Sequence, residues 1–405
     1  MNIDDQVRLL MQGTEYGDDT LRDAMAAELK ERLIEAQREN RPLRIYCGFD
    51  PRTANLHLGH TVPMRKLRQF QLLGHEVTFV VGNYTSLIGD PSDKDLLRPQ
   101  LTAEQVEENA RTYAEQAFRI LDGEITQIRY NADWLSQLTF KQLIELASNF
   151  TIQQFLQREN FKKRWENGDA IYLHETFYAI MQGYDAYMLK TDIQVGGSDQ
   201  LFNILTAARK LMTFLGAKPN IGIILGILPG TDGVIKMSKS LGNDIPITTG
   251  PEDMYGKVMS IPDFAMPSYF RLVTRWTPAQ IDQVERDLKD EKLHPRDVKM
   301  MLAREITGSF YNDDRAELAE QAFIRQFQKK EIPEEMPEFI LGQEMTLLEL
   351  LENASLVKSR SDARRLISQN GVRLDGVILN DAHMLMQDAG VLQVGKRQFI
   401  RLKKA

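Results

Sequence analysis

The chain has 405 residues, 42% of them hydrophobic, enough for two or three domains with proper cores. One cysteine excludes an internal disulfide, no apolar run reaches membrane-spanning length, and Met1-Asn2-Ile3-Asp4-Asp5-Gln6 does not read as a secretory leader, so a cytoplasmic protein is expected. The net charge of −7 hides an asymmetry: residues 355 to 405 carry ten Lys or Arg against four Asp or Glu, a local +6 that leaves −13 elsewhere and points to an RNA-facing appendage.

After a helical arm over 1–40, Arg44 to Phe49 reads as a short buried strand that Asp50-Pro51 breaks. From His57 to Leu73 the residues follow a helical period, which puts His57-Leu58-Gly59-His60 at a loop-to-helix junction. A helix start offers unpaired N–H groups and partial positive charge, suited to a polyphosphate. His57 and His60 are three apart, so both can face the same phosphates. Gly59, without a side chain, lets a flat ligand such as a purine approach the backbone. A zinc half-site is the rival reading, but with one Cys and six His no second ligand pair has metal spacing, and no dedicated metal site is expected.

Further strands are predicted at Val77 to Val81, Thr126 to Tyr130, Asp192 to Val195 and Ile221 to Leu225. Alternating with helical segments, they argue for an α/β fold with a doubly wound parallel sheet, its ligand at the strand C-terminal edge near His57 and Asp90. The helix expected from Glu175 to Lys190 is largely apolar, yet Tyr178, Gln182 and Asp185 fall within about 60° of one another. Buried polar groups need partners, either a bound amino acid with an ammonium and a hydroxyl or an internal hydrogen-bond network.

Beyond the apolar stretch Ile221 to Leu228 and the turn Pro229-Gly230-Thr231-Asp232-Gly233, Lys236-Met237-Ser238-Lys239-Ser240 reads as a mobile loop flanked by glycines, including Gly242. Cations there can close over a triphosphate and neutralise charge that grows in a transition state. Pro251 to Gln328 reads as mainly helical, and Lys329 to Pro337 as a charged, proline-punctuated linker. In the basic module, helices are predicted at Leu347 to Glu352 and Ser361 to Asn370, with Ser361-Asp362 as cap and Asn370-Gly371 as stop. Strands follow at Val372 to Leu374, Val377 to Leu379, Val391 to Val394 and Gln398 to Leu402. Arg360, Arg364, Arg365, Lys396 and Arg397 are its candidate phosphate contacts, for recognition by shape and charge.

The two short segments, His57 to His60 and Lys236 to Ser240, resemble the paired signatures of class I aminoacyl-tRNA synthetases. About 180 residues separate them, too few for a large editing domain, which fits the subclass that activates tyrosine or tryptophan. Tyr46-Cys47-Gly48-Phe49-Asp50-Pro51, Leu87-Ile88-Gly89-Asp90-Pro91 and Gln194-Val195-Gly196-Gly197-Ser198-Asp199-Gln200 resemble the tyrosyl-tRNA synthetases, along almost the whole chain. The resemblance implies a Rossmann-type catalytic domain at 41–247, a helical anticodon-side domain at 248–328, a linker at 329–343 and, at 344–405, a small α+β RNA-binding domain similar to the one named after a ribosomal small-subunit protein. It implies activation of L-tyrosine with ATP and transfer to the 3′-terminal adenosine of tRNA(Tyr), with Mg²⁺ accompanying ATP. A homodimer is also implied, with an apolar interface at Asn131 to Leu135 and the helices that follow.

On the same resemblance Tyr46 and Asp185 bind the substrate phenol, and Asp90, Tyr178 and Gln182 its ammonium group. Cys47, Asp50, Asp199 and Gln200 lie around the ATP ribose and the reacting carboxylate. Gly48, Gly59, Gly197, Met237, Ser238 and Ser240 complete the ATP site, while His57, His60, Lys236 and Lys239 stabilise the departing phosphates. Leu201-Phe202 stands where the family often has Trp-Gly, and the intact Lys-Met-Ser-Lys-Ser marks a second bacterial subgroup. A tryptophanyl enzyme and a non-catalytic RNA-binding relative are the rival readings.

Overall fold

Short, mostly apolar runs build most of the central sheet, as expected of strands covered on both faces, while the edge strand Thr126–Tyr130 is half-exposed. The strands are β1 (Arg44–Phe49), β2 (Glu76–Val81), β3 (Thr126–Tyr130), β4 (Ile193–Gly197) and β5 (Ile221–Leu225), all parallel, in the order β3-β2-β1-β4-β5. The computed structural model describes residues 1–51, 56–91, 102–328, 336–341, 345–357, 359–395 and 398–404. It resolves into two units, Met1–Glu320 and Gln321–Ala405.

Strand order reverses at β1, whose neighbours are β2 on one side and β4 on the other. Such a reversal opens a crevice at the strand C-termini, where ligands bind in doubly wound sheets. β4 begins one residue later than predicted and runs on through Gly197, because Gly196 and Gly197 pair with Ile224 and Leu225. The helix expected at 175–190 spans Leu173–Met188. Its start is drawn back by Glu175, whose carboxylate accepts the Tyr172 N–H at 2.9 Å, and Lys190, at φ +48°, cannot prolong it.

The N-terminal arm forms the helices Ile3–Leu10 and Asp19–Arg38 and belongs to the first unit. Buried Lys66, on the helix Leu58–Leu72, ties it down by donating to the carbonyls of Leu9 at 3.1 Å and Gln12 at 3.0 Å. The helices from Pro251 to Phe323 begin in the same unit.

In the second unit the sheet runs β6-β12-β11-β8-β9, formed by β6 (Glu338–Leu341), β8 (Val372–Leu374), β9 (Val377–Ile378), β11 (Gly390–Val394) and β12 (Gln398–Lys404). A second pair joins β7 (Met345–Thr346) to β10 (Leu385–Met386). Leu347, Leu350, Leu351, Ala363, Ile367 and Leu392 centre the core. Two readings are corrected here. Residues 338–341, read as linker, form β6 because they pair in parallel with Arg401 to Lys404 of β12. The second helix is Arg360–Ser368, capped not by Ser361-Asp362 but by Ser359, whose hydroxyl accepts the Asp362 N–H at 3.2 Å.

Candidate active site

At the C-terminal end of β1, Asp50 accepts the Thr85 hydroxyl at 2.8 Å and the Tyr178 hydroxyl at 3.0 Å. Gly82, just after β2, makes room: a Cβ there would collide with Asp50 Oδ1 and Thr85 Oγ1. Gly48 faces open space, with nothing within 4 Å of where its Cβ would stand. Cys47 beside it is buried, and burial followed by the Asp199 charge pushes its thiol up, so it is a neutral group.

The polar stripe of the helix Leu173–Met188 meets this strand end. Tyr46, 1% exposed, donates its hydroxyl to the backbone carbonyl of Gln182 at 3.1 Å. Asp185 is buried and accepts from Trp134 Nε1 at 2.7 Å and Asn131 Nδ2 at 3.3 Å. Burial pushes its carboxyl up to about 7, against the opposing pull of the Trp134 and Asn131 donors. The two partnering possibilities left open by the sequence therefore divide between the two residues. Asp185 has an internal network, whereas the Gln182 side-chain oxygen is buried with no hydrogen-bond partner among the described residues. Trp134 and Asn131 are the site residues the sequence reading missed as such; they lie more than fifty positions from Asp185, and no local pattern announces them.

Asp90 accepts a hydrogen bond from Gln200 Nε2, and Gln200 Oε1 accepts from Asn203 at 3.0 Å. Asp199, after β4, faces Lys236 at 3.4 Å. Tyr46, Tyr178, Gln182 and Asp185 are thus gathered with Asp50, and Asp90 with Gln200, from segments spread over about 150 residues.

His57 N-caps the helix Leu58–Leu72. Its backbone N–H donates to His60 Nδ1 at 3.2 Å, and the two rings lie 3.9 Å apart, centroid to centroid. An accepting Nδ1 leaves the His60 proton on Nε2. Burial first, then the Lys236 charge, lowers His57 to about 4; burial first, then His57 and Lys236, lowers His60 to about 3. Both imidazoles are neutral at physiological pH and act as N–H donors, not cations.

The two signatures are physically joined. Leu58 N–H donates to Ile245 at 3.0 Å, Ile247 N–H to Leu56 at 3.1 Å, and His57 pairs with Pro246 between them. A Cβ on Gly59 would stand 3.0 Å from His57 Cε1 and 3.6 Å from Met237 Cβ, a second reason for glycine beside the one its sequence context offers. Met237 is only 2% exposed, so its side chain is core. The loop read as mobile is anchored: Asn243 accepts the Ser238 N–H at 2.8 Å and donates to Asp232, which accepts from Val234 at 2.8 Å and Ile235 at 2.6 Å. Lys236 and Lys239 remain exposed on it, and Ser238 and Ser240 share a hydrogen bond at 3.0 Å.

In the second unit, Arg360 pairs with Glu352 at 2.8 Å and Arg365 with Asp362 at 2.5 Å, while Arg364 is exposed with no ion pair to a described residue. Lys396 and Arg397 lie outside the described residues. Among the described residues no group of three His, Cys, Asp or Glu is placed to hold a metal ion, and no helix is long and apolar enough to cross a membrane. Of Asn131 to Leu135, expected with the helices that follow to form an apolar interface, Asn131, Trp134 and Leu135 are buried, Ala132 is half-buried and Asp133 is exposed.

A family profile described as class I tRNA synthetases (W and Y) matches residues 37–328, and an S4 domain profile matches residues 345–387. The chain is 44% identical over 402 residues to tyrosine–tRNA ligase 2 of Clostridium acetobutylicum, covering 99% of each. It is 45% identical over 375 residues to tyrosine–tRNA ligase of Thermotoga maritima, covering 92% of this chain and 93% of that one. Among solved structures, a C-terminally truncated mitochondrial tyrosyl-tRNA synthetase of Aspergillus nidulans superimposes with TM-score 0.60 at 24% identity, over 76% of this chain and 89% of that one. The Archaeoglobus fulgidus tyrosyl-tRNA synthetase complexed with L-tyrosine gives TM-score 0.58 at 21% identity, over 79% and 100%. Those two likenesses are of fold.

Proposed function

The chain belongs to the class I tRNA synthetases of the tryptophan and tyrosine type and is a tyrosine–tRNA ligase; on that premise we infer how its own residues divide the work. Tyrosine's carboxylate attacks the α-phosphorus of ATP and pyrophosphate leaves. A ribose hydroxyl of the terminal adenosine of tRNA then attacks the carbonyl carbon of the tyrosyl-adenylate, forming the ester as the bond to phosphate breaks and AMP leaves. No side chain need act as nucleophile.

The observation that carries the reading is the gathering of Tyr46, Tyr178, Gln182 and Asp185 with Asp50 at the strand reversal. Tyr46 and Asp185 take the substrate phenol. Asp90, Tyr178 and Gln182 take the ammonium, Gln182 Oε1 gaining there the partner it lacks among the described residues. Phenylalanine would leave the phenol-binding pair unsatisfied, an effect for which tyrosyl-tRNA synthetases are themselves the standard example. Cys47, Gly48, Asp50, Gly59, Gly197, Asp199 and Gln200 border the nucleotide and the reacting carboxylate. Met237 would contribute through its backbone, Ser238 and Ser240 through either.

His57 and His60 supply neutral N–H donors to the phosphates, and Lys236 and Lys239 the cations. Mg²⁺ arrives with ATP and adds positive charge at the phosphates. Arg360, Arg364, Arg365, Lys396 and Arg397 serve tRNA phosphates, and the helices after Pro251 face the anticodon side.

We place the chain in the subgroup with an intact Lys-Met-Ser-Lys-Ser, in the cytoplasm, where a lone thiol such as Cys47 is at home. We also propose a homodimer. Phe140 and Ile144 lie one turn apart on the helix Phe140–Ala147, one of those after Asn131 to Leu135, and are 77% and 55% exposed, an apolar pair that a second copy would cover. Phe140→Asp should halve the mass seen in sedimentation; an unchanged mass rejects that face.

The deciding assay is pyrophosphate exchange into ATP with Mg²⁺ and each amino acid in turn, without tRNA. Exchange with tyrosine alone is expected. Exchange with tryptophan, or with no amino acid, overturns the pocket assignment.

A further inference from the structure

Arg158 takes no part in the site as described so far. It precedes the helix Glu159–Asn167 and is 7% exposed. Its guanidinium stands 5.1 Å from the centroid of the Phe161 ring and 5.1 Å from that of Phe202, and Phe155 backs Phe202 at 5.5 Å. Two ring faces return part of the hydration such a cation loses on burial.

What this cation faces is informative. Asp90 acts on it most strongly among the surrounding charges, ahead of Glu175. Glu175 is already neutralised by Arg164, at 2.6 Å. Burial keeps the Tyr178 hydroxyl neutral, so the net pull is toward Asp90. The same helix start also reaches the next carbonyl, since Asn160 Nδ2 donates to Pro91 O at 2.6 Å.

We propose that Arg158, clamped between Phe161 and Phe202, is a positioning residue for the ammonium end of the tyrosine site, holding the Asp90 carboxylate where the substrate's ammonium meets it. The inference rests on Asp90 and Tyr178 as ammonium ligands. It also gives Leu201-Phe202 a reason. A chain with Trp-Gly at those positions has no ring at 202 to close the clamp. Being cationic, Arg158 does not itself touch the ammonium; it acts through the carboxylate.

The test uses the full chain in tyrosine-dependent pyrophosphate exchange, with Arg158→Met, Arg158→Lys, Phe202→Leu and Asp90→Asn. Two inhibitors separate the ends of the substrate: tyramine, which keeps the ammonium and lacks the carboxylate, and 3-(4-hydroxyphenyl)propanoate, which does the reverse. Arg158→Met should raise KM for tyrosine and weaken tyramine roughly ten-fold, equivalent to about 1.4 kcal/mol. KM for ATP and inhibition by the propanoate should stay within about two-fold. Arg158→Lys should recover part of the loss, and Phe202→Leu should shift tyramine in the same direction by less.

Unchanged or tighter tyramine binding in Arg158→Met overturns the inference, as does equal weakening of both inhibitors. If Arg158→Met does not fold, Arg158→Lys and Phe202→Leu decide by the same comparison of inhibitors. Asp90→Asn distinguishes the two levels. Tyramine binding unaffected there removes the ammonium-site reading itself, whereas a loss in Asp90→Asn with none in the Arg158 variants removes the positioning role alone.

Discussion

Trp134 donates its indole N–H to Asp185 across 2.7 Å, tying the short helix after β3 to the helix that carries the pocket's polar stripe. The bond holds the buried Asp185 carboxyl in place with no ion pair to a described residue, and it meets part of the group's hydrogen-bonding need before any ligand arrives. Trp134→Phe removes the donor and leaves the packing. We expect a stability loss of about 2 kcal/mol, read from denaturant midpoints, and a further rise in the pH at which Asp185 ionises.

Asp185 titrates near 7 in the folded chain, above the ordinary carboxylate value of 3.8. Between those values the folded chain keeps a proton that the unfolded chain has released. Its contribution to stability therefore falls as pH rises from about 4 to 7 and is flat outside that window. Asp185→Asn should gain on wild type across the same window in thermal midpoints. A constant offset would mean that Asp185 ionises at an ordinary pH. The same variant should lose discrimination between tyrosine and phenylalanine; if discrimination is retained, the phenol is bound elsewhere.

The histidine pair slopes the other way. Folded values of about 4 and about 3 lie below the ordinary 6.5, so in acid the unfolded chain binds protons that the folded pair refuses. Stability from these groups rises with pH from about 3 to 6.5 and is complete above that. Measured against wild type, His57→Asn and His60→Asn should each lose ground as pH rises through that window. Because both rings are neutral donors at assay pH, the activation rate should show no step at the ordinary histidine value.

How far the chain's own letters reach is clear from such cases. β1 and β5 lie where nearly unbroken apolar runs place them, because strands covered on both faces need no partner-specific signal, and the half-exposed edge strand β3 lies where its β-branched and aromatic residues place it. The spacing of His57 and His60 already implies adjacent rings, as i, i+3 neighbours at a helix start. Trp134 and Asn131 as anchors of Asp185 were not legible, nor was β6, since each exists through a partner more than fifty residues away. Between Ser359 and Ser361, two serines of equal capping propensity, only the packed helix chooses.

Gly82 tests how tightly the crevice is built. An alanine methyl would enter the space of Asp50 Oδ1 and Thr85 Oγ1, the pair that holds Asp50 under the Tyr178 hydroxyl. Overpacking of this kind costs about 1–3 kcal/mol. Gly82→Ala should therefore lower stability by that amount and raise KM for tyrosine. A variant with unchanged stability and KM would mean that Asp50 moves aside freely.

Lys239 is exposed on the anchored loop, and the proposed function gives it the departing phosphates of the activation step. A cation whose interaction grows only in the transition state should leave KM alone when removed and slow the chemistry. Lys239→Ala should reduce the exchange rate roughly 100-fold, about 3 kcal/mol in barrier, with KM for tyrosine unchanged. Activity within a few-fold of wild type would remove it from the phosphate site.

The basic second unit should matter only when tRNA does. Arg364 has no carboxylate partner among the described residues, unlike Arg360 and Arg365, so its charge is the least committed on that helix. Arg364→Gln should weaken tRNA binding and reduce the slope of log affinity against log salt by roughly one, the release of about one counterion. Pyrophosphate exchange, which needs no tRNA, should be untouched. A matching loss in exchange would show that the substitution damages the fold; an unchanged salt slope would place the RNA on another face of the unit.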